Sequence, residues 1–153
     1  MGGIFLSSRQ YTFSRTAPAS SWGVPRLSYI SKTQYSEEWN SNLHTHGCAE
    51  LFFITDGHGR FRTQYEEFPV AIHDLVVVNA NVLHTELSQM DSPLEYIVLG
   101  VEGLEAVSAA DGCTMLHLHS GWRELLNCLD LMLKEAREGR PGWEELCGHL
   151  LGV

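Results

Sequence analysis

The spacing of apolar residues changes near residue 120, from the alternation typical of β-strands to the three- and four-residue steps of helices. Before this point, short apolar segments recur at intervals of roughly 10–20 residues, separated by Gly, Pro and Asn. The clearest of these segments are 50–55, 60–65, 75–78, 94–99 and 114–118. A series of short strands with turn signals between them predicts a β-sandwich or a β-barrel.

After residue 120, the pattern predicts two amphipathic helices joined by a short link, an αα-hairpin. Ser120 is a candidate N-cap, Gly139 stands where a glycine ends a helix, and Pro141 suits the first turn of the second helix. We therefore divide the chain into an arm at 1–25, a barrel at 26–119 and a helix pair at 120–153. The apolar stripe of the second helix still runs at the last residue, so we expect a further domain after it.

The net charge of the chain argues against some classes of binding partner. Its 153 residues include 19 acidic and 10 basic ones, and the net charge of −9 disfavours binding to nucleic-acid phosphates. No segment approaches the roughly 20 apolar residues of a membrane-spanning helix, so we expect no membrane partner.

Residues 1–36 contain no acidic residue, which is typical of an organelle transit peptide or, as we favour, of a loose terminal arm. Without an export signal, we expect a cytoplasmic protein whose four cysteines are thiols.

Three side chains at the start of the first strong strand, His44, His46 and Glu50, have the same parity and therefore share one face. A fourth candidate, His84, follows the buried strand at 75–78 and its turn. Imidazole and carboxylate groups are ligands of divalent metals such as Zn, Mn, Fe or Ni. Gathered inside a barrel, these four residues would leave coordination positions open for water or substrate.

The spacing of His44, His46, Glu50 and Gly57 resembles the first motif of the cupin family. Of the second cupin motif this chain keeps His84, and it has Asn81 where the family has a glycine. Asparagine is the least costly non-glycine residue in a left-handed turn, so we expect the turn to survive. The resemblance implies a mainly β fold, a cupin-type jelly-roll β-barrel followed by the C-terminal αα-hairpin. The other substitutions in the second motif argue against a catalytic cupin.

The order of arm, barrel and helix pair resembles the N-terminal effector-binding and dimerisation domain of AraC-type transcriptional regulators. The segments that carry this resemblance are 44–57, 74–84 and 94–99, and the helix pair extends it to 153. It implies a non-enzymatic homodimer that binds a small effector, a sugar or another small organic molecule, in the barrel. DNA would be contacted only through a C-terminal helix-turn-helix domain that this chain lacks. The alternative function is that of a stand-alone metal-dependent cupin enzyme, an isomerase or a dioxygenase.

The residues that we expect to contact an effector combine the polar cluster with aromatic groups. Phe52 has the same parity as Glu50 and therefore shares its face. Alternation places Tyr96 and His117 on the opposite wall of the barrel. Trp39 precedes the barrel, where its ring could stack on a ligand. The alternative for Phe52 is a core position, and for Tyr96 and His117 a core position is the interpretation that we favour. For Trp39 we favour a hydrophobic plug that anchors the arm. We expect no required cofactor, so that the polar cluster lines the pocket, while a divalent metal is the alternative. The predicted effector-contacting set is His44, His46, Glu50, Phe52, His84, Tyr96 and Trp39.

The apolar stripe of the first predicted helix is wider than one contact with a barrel needs. Two such hairpins related by a two-fold axis would bury the surplus in an isologous dimer. The alternative is a monomer whose helices are used entirely in covering the barrel. The residues predicted to form the dimer interface are Leu125, Leu129, Met132 and Leu133.

Overall fold

The computed structural model of the protein describes residues 7–13, 25–35, 42–105, 107 and 110–152. Within these ranges the chain forms nine strands followed by two helices. The strands are β1 (Ser7–Thr12), β2 (Arg26–Gln34), β3 (Ala49–Asp56), β4 (His58–Thr63), β5 (Glu67–Ala71), β6 (Asp74–Val78), β7 (His84–Ser88), β8 (Glu95–Glu102) and β9 (Cys113–His117). The helices are α1 (Trp122–Glu138) and α2 (Trp143–Leu151). The predicted mainly β fold with a C-terminal helix pair is confirmed.

The strands form two antiparallel sheets. The larger sheet has six strands in the order β1-β2-β8-β3-β6-β9, and the smaller one has three in the order β5-β4-β7. Two apolar cores result: one includes side chains from both sheets, and the other includes side chains from the larger sheet and both helices. The larger sheet therefore has a barrel-side face and a helix-side face, and both are buried at the central strands β3, β6 and β8.

Residue parity on β3 decides which core each side chain joins. Phe52 and Ile54 lie in the core between the sheets, whereas Leu51 and Phe53 pack with the residues of the helix-side core. All five residues of β6 are buried, as its continuous apolar run predicts for a strand covered on both faces.

Three of the four helix ends lie at glycines in left-handed conformation, Gly121, Gly139 and Gly142. Gly139 ends α1 with a φ of 60°, and its N–H donates to the Glu135 carbonyl at 2.9 Å, which confirms the predicted stop. The predicted N-cap Ser120 is wrong, because Gly121 occupies that position with a φ of 73°. Pro141 lies before α2 rather than in its first turn, since the left-handed Gly142 precedes the helix.

Two of the four predicted dimer-interface residues are buried within a single chain. Leu129 and Met132 are each 2% exposed and belong to the helix-side core. Assigning them to an interface is therefore wrong, because a partner could not reach them through the sheet and α2. Leu125 and Leu133 are partly buried against the same core, so the surplus of apolar surface on α1 is smaller than its sequence stripe indicates.

Part of the predicted arm forms a strand. β1 pairs antiparallel with β2, from Ser7 opposite Gln34 to Thr12 opposite Tyr29. This pairing adds a sixth strand to the edge of the larger sheet and satisfies backbone groups that a loose segment would leave to water. None of the described helices is long and apolar enough to cross a membrane.

Candidate functional site

A cavity of about 200 Å³ opens between the two sheets, on the barrel-side face of the larger one. Only two of its lining residues, Phe52 and Val98, have apolar side chains, and none is a lysine or an arginine. The polar lining residues are Gln10, Tyr29, Ser31, Thr33, Tyr35, His44, His46, Glu50, Glu86 and Tyr96. A wall of hydrogen-bonding groups suits a small polar ligand better than an apolar one.

Three histidines meet at one end of this cavity. One ring nitrogen of each of His44, His46 and His84 lies within 4.8 Å of the other two. The backbone holds them there, because His44 and His84 exchange two N–H···O bonds of 3.0 Å and the His46 carbonyl accepts the N–H of Asn81 at 2.8 Å. Asn81 has a φ of 64°. The left-handed turn that the asparagine predicted is thus present and fixes the position of His46.

Glu50 lies beside this histidine cluster and is buried. Its Oε2 lies 2.8 Å from Nε2 of His84, and its Oε1 lies 3.6 Å from Nε2 of His46. Burial acts to raise the pKa of the Glu50 carboxyl, but the close His84 and the Tyr29 hydroxyl outweigh it and hold that pKa below its ordinary value. Burial acts in the opposite direction on His84, yet Glu50 and the Val82 carbonyl raise the pKa of its imidazole. The pair therefore favours its ionised form.

The residues of this cluster fit a divalent metal. Glu50 Oε2 and His84 Nε2 are both fully buried, and neither has a hydrogen bond of good geometry within the described part of the chain. Two such atoms only 2.8 Å apart are suited to share one cation. Three imidazoles and one carboxylate form a donor set that Zn, Mn, Fe and Ni accept.

Tyr29 contacts Glu50 across an intervening strand, which the sequence pattern did not predict. Its hydroxyl donates a hydrogen bond to Oε1 of Glu50. Gly100 on β8 is the backbone partner of both residues, Tyr29 on β2 and Glu50 on β3. A Cβ atom at Gly100 would lie only 2.3 Å from the Tyr29 ring. The glycine therefore leaves the space through which the ring reaches the carboxylate, and an isolated glycine inside a strand is the signal that could have indicated it.

A second buried carboxylate, Glu86, contributes to the wall of the cavity. The hydroxyls of Tyr35 and Tyr96 lie 2.8 Å apart, and each lies 3.5 Å from Oε2 of Glu86. Burial raises the pKa of the Glu86 carboxyl above its ordinary value even though the nearby His84 opposes this. Glu86 has the same parity as His84 on β7, and this is the signal by which the sequence could have predicted its place.

The predicted site residues differ in where the structure places them. Phe52 and Tyr96 line the cavity, and the ring of Phe52 contacts those of Tyr96 and His84. His117 lies outside the cavity and pairs with Asp74 at 2.6 Å, so its placement on the opposite wall is wrong. Trp39 lies outside the described residues.

Comparison with known proteins identifies the fold and a family. The sequence model of a family described as the AraC-like ligand binding domain matches residues 31–151. Among curated proteins, none matches the chain in sequence.

Similar folds occur among solved structures. The protein YhaK from Escherichia coli is similar with a TM-score of 0.61 and 15% identity, over 75% of this chain and 52% of YhaK. The bacterial pirin YhhW from Escherichia coli, solved in complex with nickel(II), has a TM-score of 0.56 and 12% identity over 78% of this chain and 54% of the pirin. A cupin superfamily protein from Desulfitobacterium hafniense follows with a TM-score of 0.45 and 12% identity, over 61% of this chain and 77% of that protein. The chain spans about half the length of YhaK and YhhW, and it shares their fold over about three quarters of its own length.

Proposed function

The chain belongs to the family of AraC-like ligand-binding domains, and from this premise we propose that it is the ligand-sensing and dimerisation domain of a transcriptional regulator. A small effector, a sugar or another small organic molecule, binds in the cavity between the sheets. The observation that carries this proposal is the family match over residues 31–151, which covers the end of β2, the strands β3 to β9 and both helices.

The polar lining of the cavity supports the proposed role. Five of the predicted effector-contacting residues line the cavity, together with Tyr29, Tyr35 and Glu86: His44, His46, Glu50, Phe52 and Tyr96. The predicted His84 is not a lining residue, but it is buried 2.8 Å from the Glu50 carboxylate. Buried groups of this kind discriminate between ligands, because a ligand that fails to satisfy them leaves a desolvated polar atom unpaired.

Sensing requires that the effector favour one arrangement of the protein over another. Gln10 on β1 lines the cavity beside residues of the barrel, so a ligand there contacts the strand that joins the sheet from the arm. We propose that ligand occupancy changes the stability of the β1–β2 pairing. Output to DNA then passes through a separate helix-turn-helix domain of a cytoplasmic homodimer.

A ligand screen with paired variants tests the assignment. Sugars, polyols and small organic acids are screened by thermal shift, and hits are titrated by calorimetry against Tyr96→Phe and Tyr65→Phe. Tyr96 lines the cavity, whereas Tyr65 is largely exposed and lies outside it. We expect a hit to lose about tenfold in affinity in the first variant only, since one buried hydrogen bond is lost. Hits that bind both variants as tightly as the wild type would contradict binding in the cavity.

A metal-dependent cupin enzyme, an isomerase or a dioxygenase, is the second candidate function. The cluster of His44, His46 and His84 beside Glu50 favours it. A metal held there would supply Lewis-acid or redox chemistry, while the chain's own residues would orient the substrate. Elemental analysis separates the two functions: one equivalent of metal per chain, lost together with stability in His46→Ala, supports the enzyme, because an obligatory site is coupled to folding. Substoichiometric metal supports the sensor.

The proposed homodimer can be tested by substituting an exposed apolar residue of the helices. Leu131 and Leu146 are the large apolar residues of the described helices that are exposed, and Leu125 and Leu133 of the predicted interface are partly buried. Sedimentation of the wild type and of Leu131→Glu measures the assembly. We expect a dimer that the substitution weakens; a wild type that is monomeric at tens of micromolar would contradict the proposal.

A further inference from the structure

A groove on the helix side of the protein concentrates basic residues. It lies between the strand pair β1–β2 and the helix α1, on the face of the larger sheet opposite the cavity, and has a volume of about 500 Å³. Arg9 projects into it from β1, Lys32 from β2, and Lys134 and Arg137 from α1. We call this cavity, with its four basic residues, the basic groove. Its volume is within the range of small-molecule sites.

The charge of the basic groove is opposite to that of the chain. Four of the ten basic residues line it, against two of the nineteen acidic residues, Glu95 and Asp130, while the chain as a whole carries −9. Like charges gathered in one concave surface repel each other and raise the local potential. An anion in the groove would relieve this repulsion.

Most of these cations are not neutralised by the protein. Lys32 lies 3.4 Å from Glu95, whose Oε1 also accepts the Thr55 hydroxyl at 2.7 Å. Arg9, Lys134 and Arg137 form no ion pair within the ranges that the structure describes. Four arginines outside the groove, by contrast, are paired with carboxylates: Arg26, Arg60, Arg62 and Arg140. Of the four basic residues without an ion pair in the described ranges, three therefore line this groove, and the fourth, Arg123, lies elsewhere on α1.

We propose that the basic groove binds a small phosphorylated molecule, at a site separate from the effector cavity. A phosphate monoester carries a charge of about −1.5 to −2 at neutral pH and three acceptor oxygens. Guanidinium groups match two of these oxygens at once, and a lysine ammonium adds a point charge. Because the groove is lined by β1, β2 and α1, the bound phosphate would bridge the edge of the sheet and the helix pair.

Inorganic pyrophosphate is a suitable probe for this site. It is titrated by calorimetry into the metal-free protein at constant ionic strength, so that extraction of a metal from the histidine cluster cannot contribute heat. We expect saturable binding that weakens when sodium chloride is raised, since charge attraction supplies most of the affinity. Absence of saturable binding at low salt would overturn the proposal.

Two variants and one matched control locate the site. Arg9→Gln and Arg137→Gln each remove one unpaired cation of the groove, and we expect each to weaken pyrophosphate binding by about tenfold. Arg123→Gln removes the same charge from α1 at a position about 21 Å along the helix from residue 137, and we expect less than a twofold change. Equal weakening by all three variants would show general charge attraction and overturn the site. All three positions are exposed, and circular dichroism checks that the variants are folded.

Discussion

The two faces of the six-stranded sheet are both buried at its central strands, but they are built from different side chains. The core of the helix-side face is apolar, with Ile30, Phe53 and Ile97 packed against residues of the helices such as Leu129. The barrel-side face combines apolar residues with buried carboxylates, histidines and tyrosines, of which Glu50 is an example. Neighbouring residues of the same strands supply both faces. Residue parity thus divides the sheet into an apolar face that stabilises the fold and a face that holds the polar side chains of the candidate site.

The barrel-side face is the less favourable of the two for stability. Two buried side-chain atoms without a hydrogen bond in the described residues, Oε2 of Glu50 and Nε2 of His84, lie on this side. A buried polar group without a partner costs about 1–3 kcal/mol. A face that keeps such groups is expected for a ligand site, because the ligand satisfies them when it binds.

The largest effect is expected from removing a helix-side core residue. Leu129→Ala should lower the free energy of unfolding by about 2–5 kcal/mol, because it leaves a cavity between α1 and the sheet. Leu131→Ala is the matched control on the same helix, where the side chain is 39% exposed, and should change stability by less than about 0.5 kcal/mol. Denaturant unfolding measures both. Equal losses would mean that the helix-side face is not the main source of stability.

A smaller loss is expected when the support of Glu50 is removed. Tyr29→Phe takes away the hydroxyl that donates to the buried carboxylate and should cost about 1.5–3 kcal/mol. Tyr11→Phe on the helix-side face, where the tyrosine is partly buried against the core, is the control and should be nearly neutral. If Tyr29→Phe proves as neutral in denaturant unfolding as the control, the hydrogen bond does not hold Glu50.

Replacing glycine by alanine is expected to change stability in opposite directions at two positions, Gly100 on β8 and Gly148 on α2. Gly100→Ala should destabilise the protein by about 1–3 kcal/mol, because the new methyl group overlaps the Tyr29 ring. Gly148→Ala places the same group on α2, where nothing lies within 4 Å, and should stabilise the protein by about 0.5–1 kcal/mol. Thermal unfolding of both variants checks the difference, and two shifts of the same sign would argue against the close approach of Tyr29.

The smallest effect concerns cysteine reactivity on the two faces. Burial, with help from Glu135, raises the pKa of the helix-side Cys147 to about 11, and burial, with Asp111 and Glu66, raises that of the barrel-side Cys113 to about 12. Because the thiolate reacts, labelling of each should increase about tenfold per pH unit between pH 8 and 10, with Cys147 ahead of Cys113. Mass spectrometry after timed labelling measures the rates. Rates that do not depend on pH would indicate labelling limited by opening of the fold.

Much of the fold was determined by local sequence patterns. The β-branched and aromatic residues of β3, the alternation along β4, the apolar run of β6 and the helical spacing after residue 120 predicted these elements. On β3, residue parity also predicted the face of each side chain. The spacing of His44, His46 and Glu50 likewise predicted a shared face. These patterns succeed because neighbouring residues of a strand or helix have fixed relative directions. The shorter, more polar strands β5 and β7 lack such a pattern, and their pairing with β4 defines them.

Only the tertiary structure decided which distant residues meet. Tyr29 reaches Glu50 because β8 lies between β2 and β3 in the sheet. Leu129 faces the core rather than a second chain because α1 packs on that sheet. Arg9 and Arg137 line one groove from opposite ends of the described chain. Sequence separation carries no information about such contacts, because strand order and helix docking depend on how all the apolar faces are buried together.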